Sequence, residues 1–314
     1  MGFVKAQSAM EYVTSYGAVI VVIVIVIGLL YAMGVFNIGG NYLPKVQPGA
    51  CKVTNPLSSS EGAAGRSLEG TCQGVLPETV AYFNGQSGSV TTPLHMNVTS
   101  TGWTESVWVY ITGDSTGWCG AHSNVALNNR GSGAGQSLTL GTSQPSGNKF
   151  GFFFGYDTNG VGDFATTSTA YTYNSWYNVA GTYNRSYGFR VYVNGQLEGY
   201  YTNSGAHSGS TCTATTLPTE FISTFPWVIG YHQAWNSYFD GQISNVQLYN
   251  TSLSGNQISA LYQEGIGGAP TEILYLVAWW PLNGNPDDYS SDNYNSTASG
   301  ITYLSNWSDT YHGP

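Results

Sequence analysis

The sequence predicts a mainly β protein, with a long N-terminal hydrophobic α-helix followed by an antiparallel β-sandwich. Three observations carry this. Val13 to Phe36 runs without a charge or a proline, as one continuous apolar helix would. From about residue 80, short alternating or aromatic-rich stretches are separated by Gly, Asn, Ser and Pro turns, with almost no helical periodicity. Charged residues make up only 8% of the 314-residue chain while aromatics reach 14%, a balance that favours a packed β core over disorder.

The N-terminal element comes first. Met1 to Ala6 is a short head with one charged residue, Lys5. As a helix, Val13 to Phe36 spans roughly 36 Å, enough to cross a hydrocarbon core of about 30 Å. Val19 to Ile27 is β-branched throughout. In water such a run favours strand or aggregation, but in lipid or among other helices the backbone must bond locally and helix wins. Gly17, Ala18, Gly28 and Gly34 let neighbouring helices approach closely. Glu11 stands at the mouth of the run, where a carboxylate is costly to bury without a partner. A secretory signal would have a shorter apolar region. A plain membrane anchor, with Glu11 solvated at headgroup level, is the simpler alternative.

Gly39-Gly40, Pro44 and Pro48 end the helix and open a connector over residues 39–79. Cys51 and Cys72 bracket a Ser/Gly-rich stretch read as a disulfide-tied loop or small hairpin. The other cysteines are Cys119 and Cys212, and no C-x-x-C spacing points to zinc or redox chemistry. An even count beyond a membrane segment favours disulfides in an oxidising compartment. Three pairings are open, and a local Cys51–Cys72 clasp with Cys119–Cys212 is the expected one.

The body, residues 80–314, then builds strand by strand. Glu105 to Ile111 alternates polar and apolar residues, and Phe150 to Tyr156 and Trp176 to Tyr183 are aromatic-rich. Phe189 to Val193, Asn194-Gly195 and Gln196 to Tyr201 form the clearest hairpin, because Asn-Gly accepts the positive φ of a two-residue turn. One helix interrupts: Ser254-Gly-Asn-Gln257 is a capping box, Ile258, Leu261 and Tyr262 share a face, and Gly265 is the stop.

Charge and motifs exclude several functions. A net charge of −9 with only 8 Lys and Arg speaks against nucleic-acid binding. No E-x-D-x-E strand occurs, and the five histidines (95, 122, 207, 232 and 312) are far apart. Glycoside hydrolysis needs two close carboxylates, so no catalytic role is expected. Gly131 to Gly135 lacks the strand–helix context of a nucleotide loop. Asn-x-Ser/Thr sequons at Asn97, Asn184, Asn250, Asn295 and Asn306 suit a glycosylated exterior.

Lys5-Ala6, then Gln7-Ser-Ala-Met-Glu11-Tyr12, then the apolar run, resembles the class III signal of archaeal type IV pilin-like proteins. The resemblance implies that a prepilin peptidase cuts between Ala6 and Gln7, removing residues 1–6 as a leader. Residues 7–38 would be membrane-inserted in the precursor and then pack in the core of a homo-oligomeric helical filament. Glu11 would neutralise the new amino terminus of a neighbour and so set subunit register.

A second resemblance covers the body. Ala81-Tyr-Phe-Asn-Gly85, Trp176 to Ala180, Val191 to Gly195, and Asp240 to Asn250 with the capped helix are similar to laminin-G-like, concanavalin A-like jelly rolls. Leu276 to Gly284, with Asp287-Asp288, looks like the segment that usually opens such domains, yet here it follows the closing strand. Either the domain is circularly permuted, with 274–304 as its opening strand region, or this strand pairs with a neighbouring subunit. The family implies calcium and sugar ligands. Ser244-Asn245 stands where acids are common, which leaves Asp240, Asp287, Asp288 and Asp292 as candidate calcium ligands, with turn chemistry as the alternative. Trp118, Tyr231, Trp235 and Tyr238 are candidate stacking faces for a glycan. The combined expectation is a surface-filament subunit whose lectin-like domain mediates adhesion outside the cell. Its alternative is a membrane-anchored, non-polymerising carbohydrate-binding protein.

Overall fold

Period-two patterning beyond residue 80 is realised as two stacked antiparallel sheets. The structure is a computed structural model that describes residues 19–26, 50–54, 67–71, 76–98, 102–113, 124–129, 137–143, 148–155, 164–202, 205–207, 221–233, 236–290 and 292–314. The chain divides into two units, Met1–Pro48 and Gly49–Pro314. In the first, residues 19–26 are helical (α1) with their β-branched side chains exposed. Among the described residues no helix is long and apolar enough to cross a membrane. The leader, Ala6, Gln7, Glu11 and the rest of the expected 7–38 helix lie outside the described residues.

The second unit opens with a hairpin of β1 (Ala50–Thr54) and β2 (Ser67–Thr71), in which Cys51 lies opposite Gly70. This is the small hairpin expected between the first two cysteines. The side chain of Cys51, and all of Cys72, Cys119 and Cys212, lie outside the described residues, so the disulfide expectation does too.

The strands of the body, in chain order, are β3 (Val80–Asn84), β4 (Ser89–Val98), β5 (Gly102–Ile111), β6 (Val125–Asn128) and β7 (Ser137–Ser143). Next come β8 (Lys149–Gly155), β9 (Phe164–Thr166), β10 (Trp176–Asn184), β11 (Gly188–Val193), β12 (Gln196–Thr202) and β13 (Gly205–His207). The last are β14 (Phe221–Ile229), β15 (Tyr231–His232), β16 (Ser237–Tyr238), β17 (Asp240–Tyr249), β18 (Leu276–Trp280), β19 (Thr297–Ser299) and β20 (Thr302–Leu304). A nine-stranded sheet runs β13-β12-β11-β10-β5-β17-β3-β20, with β18 also on β17. A seven-stranded sheet runs β19-β4-β14-β6-β7-β8-β9. The main core lies between them and includes Phe83, Trp103, Val107, Phe152, Phe189, Trp227, Phe239 and Trp280. Trp103 and Trp227 stack across it, with ring centroids 5.9 Å apart.

Asn194 and Gly195 take φ of 49° and 77°, so the expected two-residue turn joins β11 to β12. The capping box is present at α2 (Gly255–Gln263): the Ser254 hydroxyl accepts from the Gln257 amide, and the Gln257 side chain accepts from Ser254 N at 2.9 Å. Ile258 and Leu261 point from α2 into a second core with Tyr192, Tyr249 and Trp279.

Strand β5 is covered on both faces. All ten residues of Gly102–Ile111 are buried, polar and apolar positions alike. The cause is a covered outer surface. Val107, Val109 and Ile111 enter the inter-sheet core, while Trp108 and Tyr110 pack outward with Trp176, Ile266 and Trp307. By strand alternation Glu105 shares the inter-sheet face of Trp103 and Val107.

The tail segment pairs within the chain. Strand β18 takes the second half of one β17 edge (Val246↔Trp280 to Tyr249↔Leu276), and β3 takes the first half (Asp240↔Asn84 to Ile243↔Ala81). Asn283 Oδ1 accepts from Thr79 N at 2.9 Å and so ties the two half-edges together. Strand β20 then adds to β3 and β19 to β4, so the tail clips an edge of each sheet.

Candidate functional site

Asp240 begins β17 at one end of the sandwich. Its backbone N–H donates to Asn124 Oδ1 at 2.7 Å, and its Oδ1 accepts from the Thr112 hydroxyl at 2.9 Å. Asn124 in turn donates from Nδ2 to the Gly113 carbonyl at 2.7 Å. The carboxylate fits between two glycines: a Cβ on Gly113 would come within 2.3 Å of Oδ2, and one on Gly85 within 2.9 Å of the Asp240 Cβ. Any side chain at Gly113 would displace the acid.

Tyr231 and Tyr238 face each other across the short β15–β16 hairpin, with rings stacked at 4.3 Å and 22°. The hairpin is tied to β6, where Asn128 Nδ2 donates to the Tyr231 carbonyl at 2.6 Å. Partial burial, reinforced by the neighbouring Tyr238 hydroxyl, raises the Tyr231 pKa, so the Tyr231 phenol is a neutral donor and acceptor. Phe239, between Tyr238 and Asp240, inserts into the inter-sheet core and fixes both neighbours at the rim. The rim thus combines an aromatic pair, a carboxylate, a hydroxyl and an amide.

Of the residues named from the sequence, Asp240, Tyr231 and Tyr238 stand at this rim. Thr112, Asn124 and Gly113 were not named, and no local pattern marks them. Trp118 and Trp235 lie outside the described residues.

The tail acids are built differently. Asp288 is buried and its carboxylate receives four donors: Trp279 N and Ser290 N on Oδ1, and the Ser290 hydroxyl and Tyr294 N on Oδ2. Four donors fill the roughly four lone-pair positions of a carboxylate, which leaves no ligand oxygen for a cation. Asp287 and Asp292 are exposed turn residues, held by Asn285 Oδ1 and the Ser290 hydroxyl. Among the described residues no group of three or more His, Cys, Asp or Glu is placed to hold a metal ion.

Ser244 and Asn245, where the resembled family often has acids, hold the tail strand instead. Ser244 Oγ donates to the Pro281 carbonyl at 3.0 Å. Asn245 sits at φ 50°; its Oδ1 accepts from Trp279 Nε1 at 2.7 Å, and its Nδ2 donates to the Gly265 and Gly268 carbonyls. Gln247, Tyr249 and Glu264 extend this buried network, and Thr271 donates twice to Glu264 Oε1 at 2.7 Å. Burial nevertheless pushes the Glu264 pKa up to about 8 against these donors.

Four of the sequon asparagines stand on described side chains. Asn250 and Asn306 are exposed in turns without a side-chain bond of their own among the described residues. Asn184 Oδ1 accepts from Ser186 N, and Asn295 Oδ1 from Asp288 N. Asn97 lies in β4, with its side chain outside the described residues.

A family model of the concanavalin A-like lectin/glucanases superfamily (Laminin_G_3) matches residues 84–259, more than half of the chain. The chain belongs to this family. No curated protein matches it in sequence. Among solved structures, a Bacteroides ovatus protein provisionally assigned as carbohydrate binding aligns with a TM-score of 0.50 at 15% identity, over 84% of this chain and 70% of its own. A SAP-like pentraxin from Limulus polyphemus aligns at 0.46 and 13% identity, over 72% of this chain and 94% of its own. A CBM40 domain of a Ruminococcus gnavus sialidase aligns at 0.39 and 14%, over 52% and 84%. At these identities the first likeness establishes the fold and nothing finer. The concanavalin A-like body is therefore the two-sheet sandwich described above.

Proposed function

We propose that the chain is a cell-surface carbohydrate-binding protein, with the concanavalin A-like body as the binding module and the N-terminal apolar run as its carrier. The observation that supports this best is the rim at Asp240, where fixed polar groups adjoin the Tyr231–Tyr238 pair. Sugars bind through such combinations, because C–H faces pack on aromatic rings while hydroxyls need oriented donors and acceptors. The Bacteroides ovatus structure, whose name refers to carbohydrate binding, supports the same reading. A hydrolytic role has less support, since among the described residues the rim presents one carboxylate where hydrolysis needs two.

Among the described residues, calcium enters at Asp240. Its Oδ2 has no hydrogen-bond partner among the described residues, so this acid fits a hard cation, whereas Asp288 does not. Asn250 and Asn306 are the sequons best suited to carry glycans on an exterior surface.

The fuller proposal is that residues 7–38 polymerise after prepilin peptidase removes residues 1–6, with Glu11 setting register in an extracellular filament. Its support is the N-terminal sequence pattern alone. A non-polymerising anchor uses the same body.

The test is a glycan array probed with the full chain, its Asp240→Ala variant and its Tyr238→Ala variant, each with and without chelator. Binding by the native chain and its loss in both variants is the expected result. Retention in both variants would remove the rim from the reading. Unchanged binding and melting in chelator would remove calcium.

A further inference from the structure

The outer face of the nine-stranded sheet carries a cleft that shares no residue with the Asp240 rim. Its floor is Trp108 and Trp176, one wall is Tyr262 of α2, and the other is the C-terminal segment around Tyr311. Its volume is about 360 Å3, within the roughly 300–1,000 Å3 usual for small-ligand sites.

The aromatic frame is interlocked. Tyr262 stacks on Trp108 at 5.7 Å and 24°, Tyr311 meets Trp108 edge-on at 5.3 Å, and Trp307 meets Trp176 edge-on at 5.7 Å. The Tyr311 hydroxyl accepts from Ile266 N at 3.1 Å, which clamps the tail to the end of α2. The cleft is thus a built feature of the fold. The indole N–H groups of Trp108 and Trp176, both residues more than nine-tenths buried, have no hydrogen-bond partner among the described residues.

Polar groups surround this frame. Asn174, Asp309 and His312 line the cleft, and their side chains make no hydrogen bond among the described residues. Asn194 spends its Oδ1 on Asn178 N and keeps its amide N–H2 available. Amides and a carboxylate are the groups that bind vicinal hydroxyls, as donors and acceptors at fixed spacing. Among the described residues the lining has no Lys or Arg and one carboxylate, which disfavours an anionic ligand. A cationic ligand would need open ring faces, and Tyr262 already covers Trp108.

We propose that this cleft binds a neutral sugar residue. The proposal rests on the carbohydrate-binding reading of the molecule but on none of the residues that carry it at Asp240. The full chain is compared with an Asn174→Gly/Asp309→Ala double variant on neutral, sialylated and sulfated glycans. Both residues are exposed, and glycine keeps the φ of 59° at position 174. The expected result is a neutral glycan bound by the native chain and weakened about tenfold or more in the double variant. Thr310→Trp, on the exposed mouth, should block the same glycan without touching the core. Neutral-glycan binding unchanged in both proteins overturns the cleft and leaves the carbohydrate-binding reading standing. Binding of anionic glycans alone overturns it likewise. Binding of no glycan by the native chain overturns both.

Discussion

Two buried acids set the pH behaviour of the body. Glu264 reaches about 8 because burial disfavours its charge, although Thr271 and Gln247 donate to it. Glu105 is raised in the same direction by complete burial between the sheets, opposed by the Trp103 indole N–H. Each folded pKa lies above its unfolded value, so the folded state holds the proton more tightly. The associated stability is complete below about pH 4.5, the unfolded value, and is lost as pH rises through the folded one. Each such group contributes a fall of about 1.4 kcal/mol per pH unit in that window. Denaturant unfolding should therefore show a body more stable at pH 5 than at pH 8, and Glu264→Gln should flatten that slope. An unchanged slope would mean that Glu264 is ionised in the fold. Nothing in the sequence around Glu264 marks it, because its environment is assembled from β17, the loop at Thr271 and the end of α2.

The short elements that carry their own instructions were legible. Asn194-Gly195 makes its turn because these two residues tolerate positive φ, and Ser254 with Gln257 caps α2 because both partners lie within one turn. Gly195 has a further role: a Cβ there would approach the Ser259 Cα at 3.1 Å and the Tyr262 Cβ at 3.2 Å. Gly195→Ala should destabilise the body by about 1–2 kcal/mol through strained φ and this contact. Thermal unfolding reads the loss, and an unchanged midpoint would show that the turn relaxes freely. The burial of both faces of strand β5 was not legible, because its outer face is covered by residues such as Ile266 and Trp307, more than 150 positions away. The rim followed the same rule. Asp240 and the tyrosines stood in recognisable segments, whereas Asn124 reaches Asp240 across 116 positions.

At the scale of the whole molecule, the body and the N-terminal run pose separate questions. The body is closed by its own tail, with β18, β19 and β20 all paired inside the chain, so assembly does not require strand exchange between subunits. Polymerisation, if it is the role of the run, depends on residues 7–38. Mass spectrometry of N-terminal peptides from sheared extracellular material and from membranes separates the alternatives. A peptide beginning at Gln7 in the sheared fraction is expected for a processed filament subunit. Protein confined to membranes and still beginning at Met1 would establish the non-polymerising anchor.

By itself the sequence determined the β class, the Asn-Gly turn, the capped helix, the strand segments and the low, acidic charge. These are local consequences of side-chain period, turn chemistry and capping, all decided within a few residues. Only the tertiary structure decided where the tail strand goes, which acids remain open and which faces are buried twice. Asp287, Asp288 and Asp292 look alike as neighbours in sequence. Asp288 alone turns inward to accept four hydrogen bonds, because β18 brings Trp279 N to it. Burial and partnership are set by contacts between distant segments, and those contacts exist only once both sheets have closed.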